Sequence, residues 1–153
     1  DVAVNQEVSP QFHNRLGIAI AMRTYRAYRD LLASERWHKL AAAGARPQRL
    51  LWASTGSKDP AISDTFYVEA LAAPDTINTI PEKTLHAFSQ HGKVGAPLPV
   101  DGGYADVVLE EFRREGINDE LLAAKLQDEA VASFAKSWRA LLSRINDKRS
   151  QPR

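Results

Sequence analysis

The residues whose types and spacing could do chemistry are the run Ser54, Thr55, Gly56, Ser57 and Lys58. Two or three hydroxyls can donate hydrogen bonds to phosphate oxygens, a glycine lets backbone N–H groups approach an anion closely, and a lysine adds a point charge. The run reads as an anion cradle, and also as a solvated Ser/Gly loop carrying a surface lysine. It is not a nucleotide P-loop, because the GxxxxGK[ST] spacing is absent. Asn78 and Thr79 are candidates for the same mouth, or for a turn followed by a helix cap.

Other chemistry has less to build on. His13, His38, His86 and His91 contain no pair at the i, i+4 spacing of HExxH, so no metal site is expected. Glu110 with Glu111, and Asp128 with Glu129, are sequence neighbours in helical stretches and face different ways, which suits solvated helix faces better than a convergent acid/base pair. Trp37, Trp52 and Trp138 each fall in an apolar stripe and are expected to pack. Tyr25 and Tyr28 beside Arg23, Arg26 and Arg29 read as a snorkelling outer helix face rather than a nucleic-acid stacking surface.

Composition narrows the function classes. With 44% hydrophobic and 25% charged residues in 153 positions, the chain has enough apolar mass for one domain with a core. Lys and Arg number 20 against 19 acids, so no surplus of positive charge asks for nucleic acid or acidic lipid. Zero cysteines exclude a disulfide scaffold, thiol catalysis and Cys-ligated metal. No apolar run is long enough to span a bilayer. The opening DVAVNQEVSP lacks the basic then apolar layout of a signal peptide, so cytoplasm is the default expectation.

The elements that must position the cradle follow from periodicity and punctuation. Phe12, Leu16, Ala19, Ile20, Tyr28 and Leu31 predict one long helix over 10–33. Ser34 caps a short helix that Gly44 ends. Leu50 to Ala53 is a bounded apolar run that reads as a strand buried on both faces. Ser63 opens a helix through about Ala73, stopped by Pro74 and striped by Phe66, Tyr67, Ala70 and Leu71. Thr76 to Ile80 is a second strand, and Pro81 sits in the first turn of a helix ending at Gly92. This order is a βαβ unit with parallel strands.

Positions 94–103 then form an irregular connection. Ala105, Val108, Leu109 and Phe112 mark a helix ending before Gly116. Asn118 caps a last helix striped by Leu122, Leu126, Phe134, Trp138, Leu141 and Ile145, before a frayed polar tail, INDKRSQPR. About six helices around two short strands is an unbalanced inventory, because two strands with bare outer edges do not make a stable sheet alone. Something must cover those edges.

Longer motifs carry a resemblance. RPQRLLWASTGSKDP (46–60), DTFYV (64–68), PDTINTIP (74–81) and TLHAFSQHG (84–92) resemble the carboxyl-terminal part of bacterial transaldolases, in the branch also found fused to phosphoglucose isomerase. RTYRAYRDLL, SERWHKLAAAGA and EAVASFAKSWRALL extend the likeness over nearly the whole chain. The resemblance implies an α/β fold, the closing part of a (β/α)8 barrel occupying 1–153 as one domain, with Leu50–Ala53 as its seventh strand and Thr76–Ile80 as its eighth.

It also implies transfer of a dihydroxyacetone unit between sugar phosphates through a lysine Schiff base, without a cofactor. Ser54 and, more loosely, Lys58 then fall on the phosphate-binding positions, and Thr55 and Asn78 join the mouth. The strands bearing the Schiff-base lysine, its carboxylates and an arginine ending the sixth strand are expected before Asp1. The chain alone is therefore expected to be catalytically silent. Its expected partners are a sugar phosphate and the rest of the barrel. A non-catalytic helical module that self-associates is the alternative; neither nucleic acid nor membrane is expected as a partner.

Overall fold

A computed structural model describes residues 1–150, which divide into two compact units, Asp1–Glu115 and the described residues from Gly116 on. The first unit contains a 3-10 turn, Pro10–Phe12, followed by α1 (Leu16–Ala33), α2 (Glu35–Ala42), β1 (Leu50–Ala53), α3 (Phe66–Ala70), β2 (Thr76–Thr79), α4 (Glu82–His91) and α5 (Ala105–Arg114). The second is one helix, α6 (Asp119–Ser150).

The long first helix is broken near its start. Asn14 adopts φ +60, a conformation no helix interior accommodates, so the 3-10 turn and α1 are separate elements. Its side chain explains the break: it accepts from Asn5 Nδ2 at 3.1 Å and donates to Asp59 Oδ2 at 2.9 Å. The buried face of α1 is Leu16, Ile18, Ala19, Ala21, Met22, Tyr25 and Tyr28, while Leu31 is exposed.

Tyr25 and Tyr28 are core residues: Tyr28 falls in the apolar stripe expected from spacing, and the reading of both as an outer face beside the arginines is corrected. Their hydroxyls donate to the carbonyls of Pro74 at 3.2 Å and Asp75 at 3.3 Å, so the polar ends are satisfied where the rings are buried. The arginines sit at the rim: Arg26 forks onto Asp106 at 2.7 and 3.3 Å, and Arg29 reaches Asp75 at 2.6 Å. α5 packs on α1 through Ala105, Val108, Leu109 and Phe112, the face expected from spacing, with Phe12 and Phe112 rings 5.5 Å apart.

β1 and β2 are parallel and in register, Leu50 opposite Thr76 and Ala53 opposite Thr79. The βαβ reading holds, with β2 ending at Thr79 rather than Ile80. Burial on both faces does not hold. Trp52 is buried, but Leu51 is 46% exposed, Ile77 is 36% exposed, and Ala53 and Thr79 are exposed with them. Side chains alternate across a strand, so Leu51, Ala53, Ile77 and Thr79 form one uncovered face.

The intervening helix is shorter than expected. Ser63 Oγ accepts the Thr65 amide, but the turn closes by a three-residue bond from Phe66 N–H to the Ser63 carbonyl, and regular helix starts only at Phe66. It ends at Ala70, beyond which the Ala72 carbonyl accepts from Leu98 N–H. Pro81 is the N-cap of α4 rather than a member of its first turn, and Gly92 closes that helix as expected. Ser34 Oγ caps α2 through the Trp37 amide, and Gly44 at φ +93 follows it. Trp37 is only half-buried.

In α6, Asn118 Oδ1 accepts the amides of Glu120 and Leu121, the expected cap. The helix runs on to Ser150, so 145–150 is helical where a frayed tail was expected; 151–153 lie outside the described residues. Within its stripe Phe134 is 78% and Trp138 61% exposed, against the expectation of packing.

Phe112 is almost wholly buried, so Phe112→Ala is expected to destabilise the first unit by about 3–5 kcal/mol in denaturant titration. A loss below about 1 kcal/mol would contradict the α1–α5 core.

Candidate functional site

The loop leaving β1 is held at four points. Ser54 turns out of the strand at φ +57, a left-handed conformation costly for a residue with a side chain. Its N–H donates to Thr79 Oγ1 at 3.3 Å, and that same hydroxyl donates to the Trp52 carbonyl at 3.3 Å. Thr55 is buried and donates to Asn78 Oδ1 at 2.7 Å. Ser57 Oγ closes on Asp59, donating to its carbonyl and accepting its amide. Asp59 accepts from Asn14 Nδ2 and from the Ala61 amide.

These bonds divide the cradle. Of the three hydroxyl residues, Thr55 and Ser57 already donate within the protein, and Ser54 is the most exposed. Two or three hydroxyls donating to one anion is therefore not the arrangement found. Gly56 serves close packing: a Cβ there would lie 3.1 Å from Pro81 Cγ and 3.2 Å from Thr84 Oγ1. Ser54, Thr55 and Gly56 line a hollow of about 270 Å³ together with Asp1, Gly17, Tyr67 and Leu71.

Lys58 belongs to a neighbouring hollow of about 430 Å³, with Ser57, Asp59, Pro60, Ile62, Asp64 and Lys83. Asn78 lies on the covered face of β2 and braces Thr55, whereas Thr79, on the open face, touches Ser54. His86 and His91 are exposed; His91 Nε2 lies 2.8 Å from Asp64 Oδ1.

Several contributors were not singled out from the sequence. Lys83, one residue inside a helix that starts beside the mouth, had a usable cue in Pro81. Asp1, Gly17 and Tyr67 had none, because their meeting depends on α1 and α3 converging. Asp1 Oδ1 accepts from Gly17 N–H at 2.8 Å, and Oδ2 accepts from the Tyr67 hydroxyl at 2.6 Å. Burial, and secondarily the charge of Asp59, pushes the Tyr67 phenol above its ordinary value, keeping it a donor at neutral pH.

The Asp59 carboxyl is held below its ordinary value by the Asn14 side chain first and the Ala61 amide second.

With the geometry in place, the likeness to known proteins is specific. The family model described as Transaldolase/Fructose-6-phosphate aldolase matches residues 1–145. The chain belongs to this family. Transaldolase of Renibacterium salmoninarum is 42% identical over 147 residues, covering 95% of this chain and 39% of that protein. Transaldolase 1 of Streptomyces avermitilis is 47% identical over 133 residues, 86% of this chain and 35% of that protein. Transaldolase of Thermobifida fusca is 43% identical over 141 residues, 91% and 38% respectively.

The chain thus spans less than two-fifths of the length of these relatives. The likeness to transaldolases read from the motifs is borne out as to family, though not as to the branch fused to phosphoglucose isomerase, and the family's fold is a (β/α)8 barrel, to which two adjacent parallel strands with intervening helix conform. No helix among the described residues is long and apolar enough to cross a membrane.

A carboxylate whose folded pKa is depressed contributes stability that is present above its unfolded pKa and is lost as pH falls through the folded one. Asn14→Ala is expected to raise the Asp59 pKa toward its ordinary 3.8 and to shrink that acid-labile contribution, read by carboxyl-carbon NMR titration. An unchanged Asp59 titration would contradict the anchor.

Proposed function

We propose that the chain is the carboxyl-terminal part of a transaldolase barrel, with β1 and β2 as its seventh and eighth staves. The parent enzyme moves a dihydroxyacetone unit between sugar phosphates through a lysine Schiff base, in the cytoplasm and without a cofactor. This chain contributes phosphate binding. Ser54 makes the phosphate contact, Lys58 adds charge from the adjoining hollow, and Thr55 with Asn78 braces the mouth.

The observation that carries the reading is the placement of Ser54. It sits immediately past the carboxyl ends of two parallel strands, where barrel enzymes collect their functional groups, and a strained φ with an amide tied to Thr79 keeps its hydroxyl turned to solvent. The open face of Leu51, Ala53, Ile77 and Thr79 supports the same reading, because a two-stranded sheet needs further strands and a covering layer. The remaining barrel strands are the partner that meets this need.

Schiff-base chemistry needs a neutral amine in a desolvated, charge-tuned setting. All seven lysines, at 39, 58, 83, 93, 125, 136 and 148, are exposed. The chain by itself is therefore silent. Borohydride reduction with a ketose phosphate is expected to leave its mass unchanged, and a covalent adduct on any of these lysines would refute that.

Inorganic phosphate, titrated into the labelled chain, is expected to shift the amide signals of Ser54 to Gly56. Ser54→Ala should weaken that binding about tenfold, the scale of one hydrogen bond to a charged group. Equal affinity for both proteins would remove Ser54 from the site.

A further inference from the structure

The hollow beside Ser54 contains the Asp1 carboxylate as well as the serine. Asp1 lines the same wall as Ser54, Thr55 and Gly56, and a carboxylate free to turn toward a bound phosphate would oppose it. Both of its oxygens are tied: Oδ1 to the Gly17 amide at the start of α1, Oδ2 to the Tyr67 hydroxyl on α3. A Cβ at position 17 would stand 2.6 Å from Asp1 Oδ2, so any other residue there would push this carboxylate out of its place. Glycine is therefore the residue that lets α1 approach this carboxylate.

We infer that Tyr67 is a positioning residue of the anion site: with the Gly17 amide it clamps the Asp1 carboxylate, keeping that charge saturated and turned onto α1 and α3 while phosphate sits at Ser54. This rests on the phosphate reading above and adds to it the device that lets an acidic residue and an anion share one hollow. A hydrogen bond from a phenol to a carboxylate is of the charge-assisted kind, short and strong, as the 2.6 Å separation shows. Tyr67 touches no ligand in this account; it acts through Asp1.

The test is inorganic phosphate titrated into the full 153-residue chain, followed by amide NMR at Ser54 to Gly56, in four proteins: wild type, Tyr67→Phe, Asp1→Asn and the double variant. Tyr67→Phe keeps the ring and removes the donor, and is expected to weaken phosphate binding roughly tenfold, the order of one like-charge contact a few ångström apart in water. Asp1→Asn removes the charge and is expected to bind at least as tightly as wild type. The double variant should match Asp1→Asn, because without the charge there is nothing for Tyr67 to hold.

That rescue separates positioning from packing. A double variant as weak as Tyr67→Phe would overturn the inference, as would an Asp1→Asn chain that binds less tightly than wild type. Asp1→Asn leaves the Tyr67 ring in place, so it reads the charge even if Tyr67→Phe unfolds. A wild-type chain that binds phosphate while Tyr67→Phe binds it equally would sink this inference alone. A wild-type chain that fails to bind phosphate would sink the phosphate reading and this inference with it.

Discussion

One hydroxyl joins the two strands to the site. Thr79 Oγ1 donates to the Trp52 carbonyl and accepts from the Ser54 amide, so it stitches the last residue of β2 across the point where β1 gives way to its loop. The bend at Ser54 depends on it. A serine at φ +57 is a local cost that the surrounding structure must over-determine, and here the neighbouring strand does so. If β1 and β2 were not parallel and in register, Thr79 would not stand beside Ser54, and the serine hydroxyl would have no fixed address.

The rest of the first unit holds that arrangement from behind. Tyr25 and Tyr28 fasten α1 to the carbonyls just before β2, and Arg29 pairs with Asp75, itself at φ +61, where the chain turns into the strand. Asn14 fastens the start of α1 to Asp59 at the far end of the β1 loop. The segments flanking the strands are thus tied to α1 and the turn before it by named polar contacts, while Leu51, Ala53, Ile77 and Thr79 are exposed on one face of the sheet. That asymmetry suits a segment of a closed barrel, in which an inward face is filled by layers from other strands.

Much of this was legible in the residues. The parallel pair, the α5 face, the Ser34 and Asn118 caps and the stop at Gly92 all came from local rules of periodicity and capping, which act within a few positions. What was not legible depends on distant partners. Tyr25 and Tyr28 look like an outer face until the Pro74–Asp75 carbonyls are brought against them. Asn14 is a residue type that tolerates positive φ, but what holds it there is Asp59, 45 residues on, together with Asn5. Apolar stripes were read as buried, yet Phe134, Trp138, Leu51 and Ile77 are exposed, because periodicity reports which face is apolar and not whether anything lies on it. At the site, composition indicated hydroxyls and a lysine but not which hydroxyls were already engaged.

The most direct test of the account is inter-strand NOE spectroscopy on the isotopically labelled chain. Hα-to-amide contacts of a parallel ladder that align Leu50 with Thr76 and Ala53 with Thr79 are expected, together with a Ser54 amide protected from exchange. Helical shifts over 50–53 or 76–79, or a ladder in antiparallel order, would contradict it.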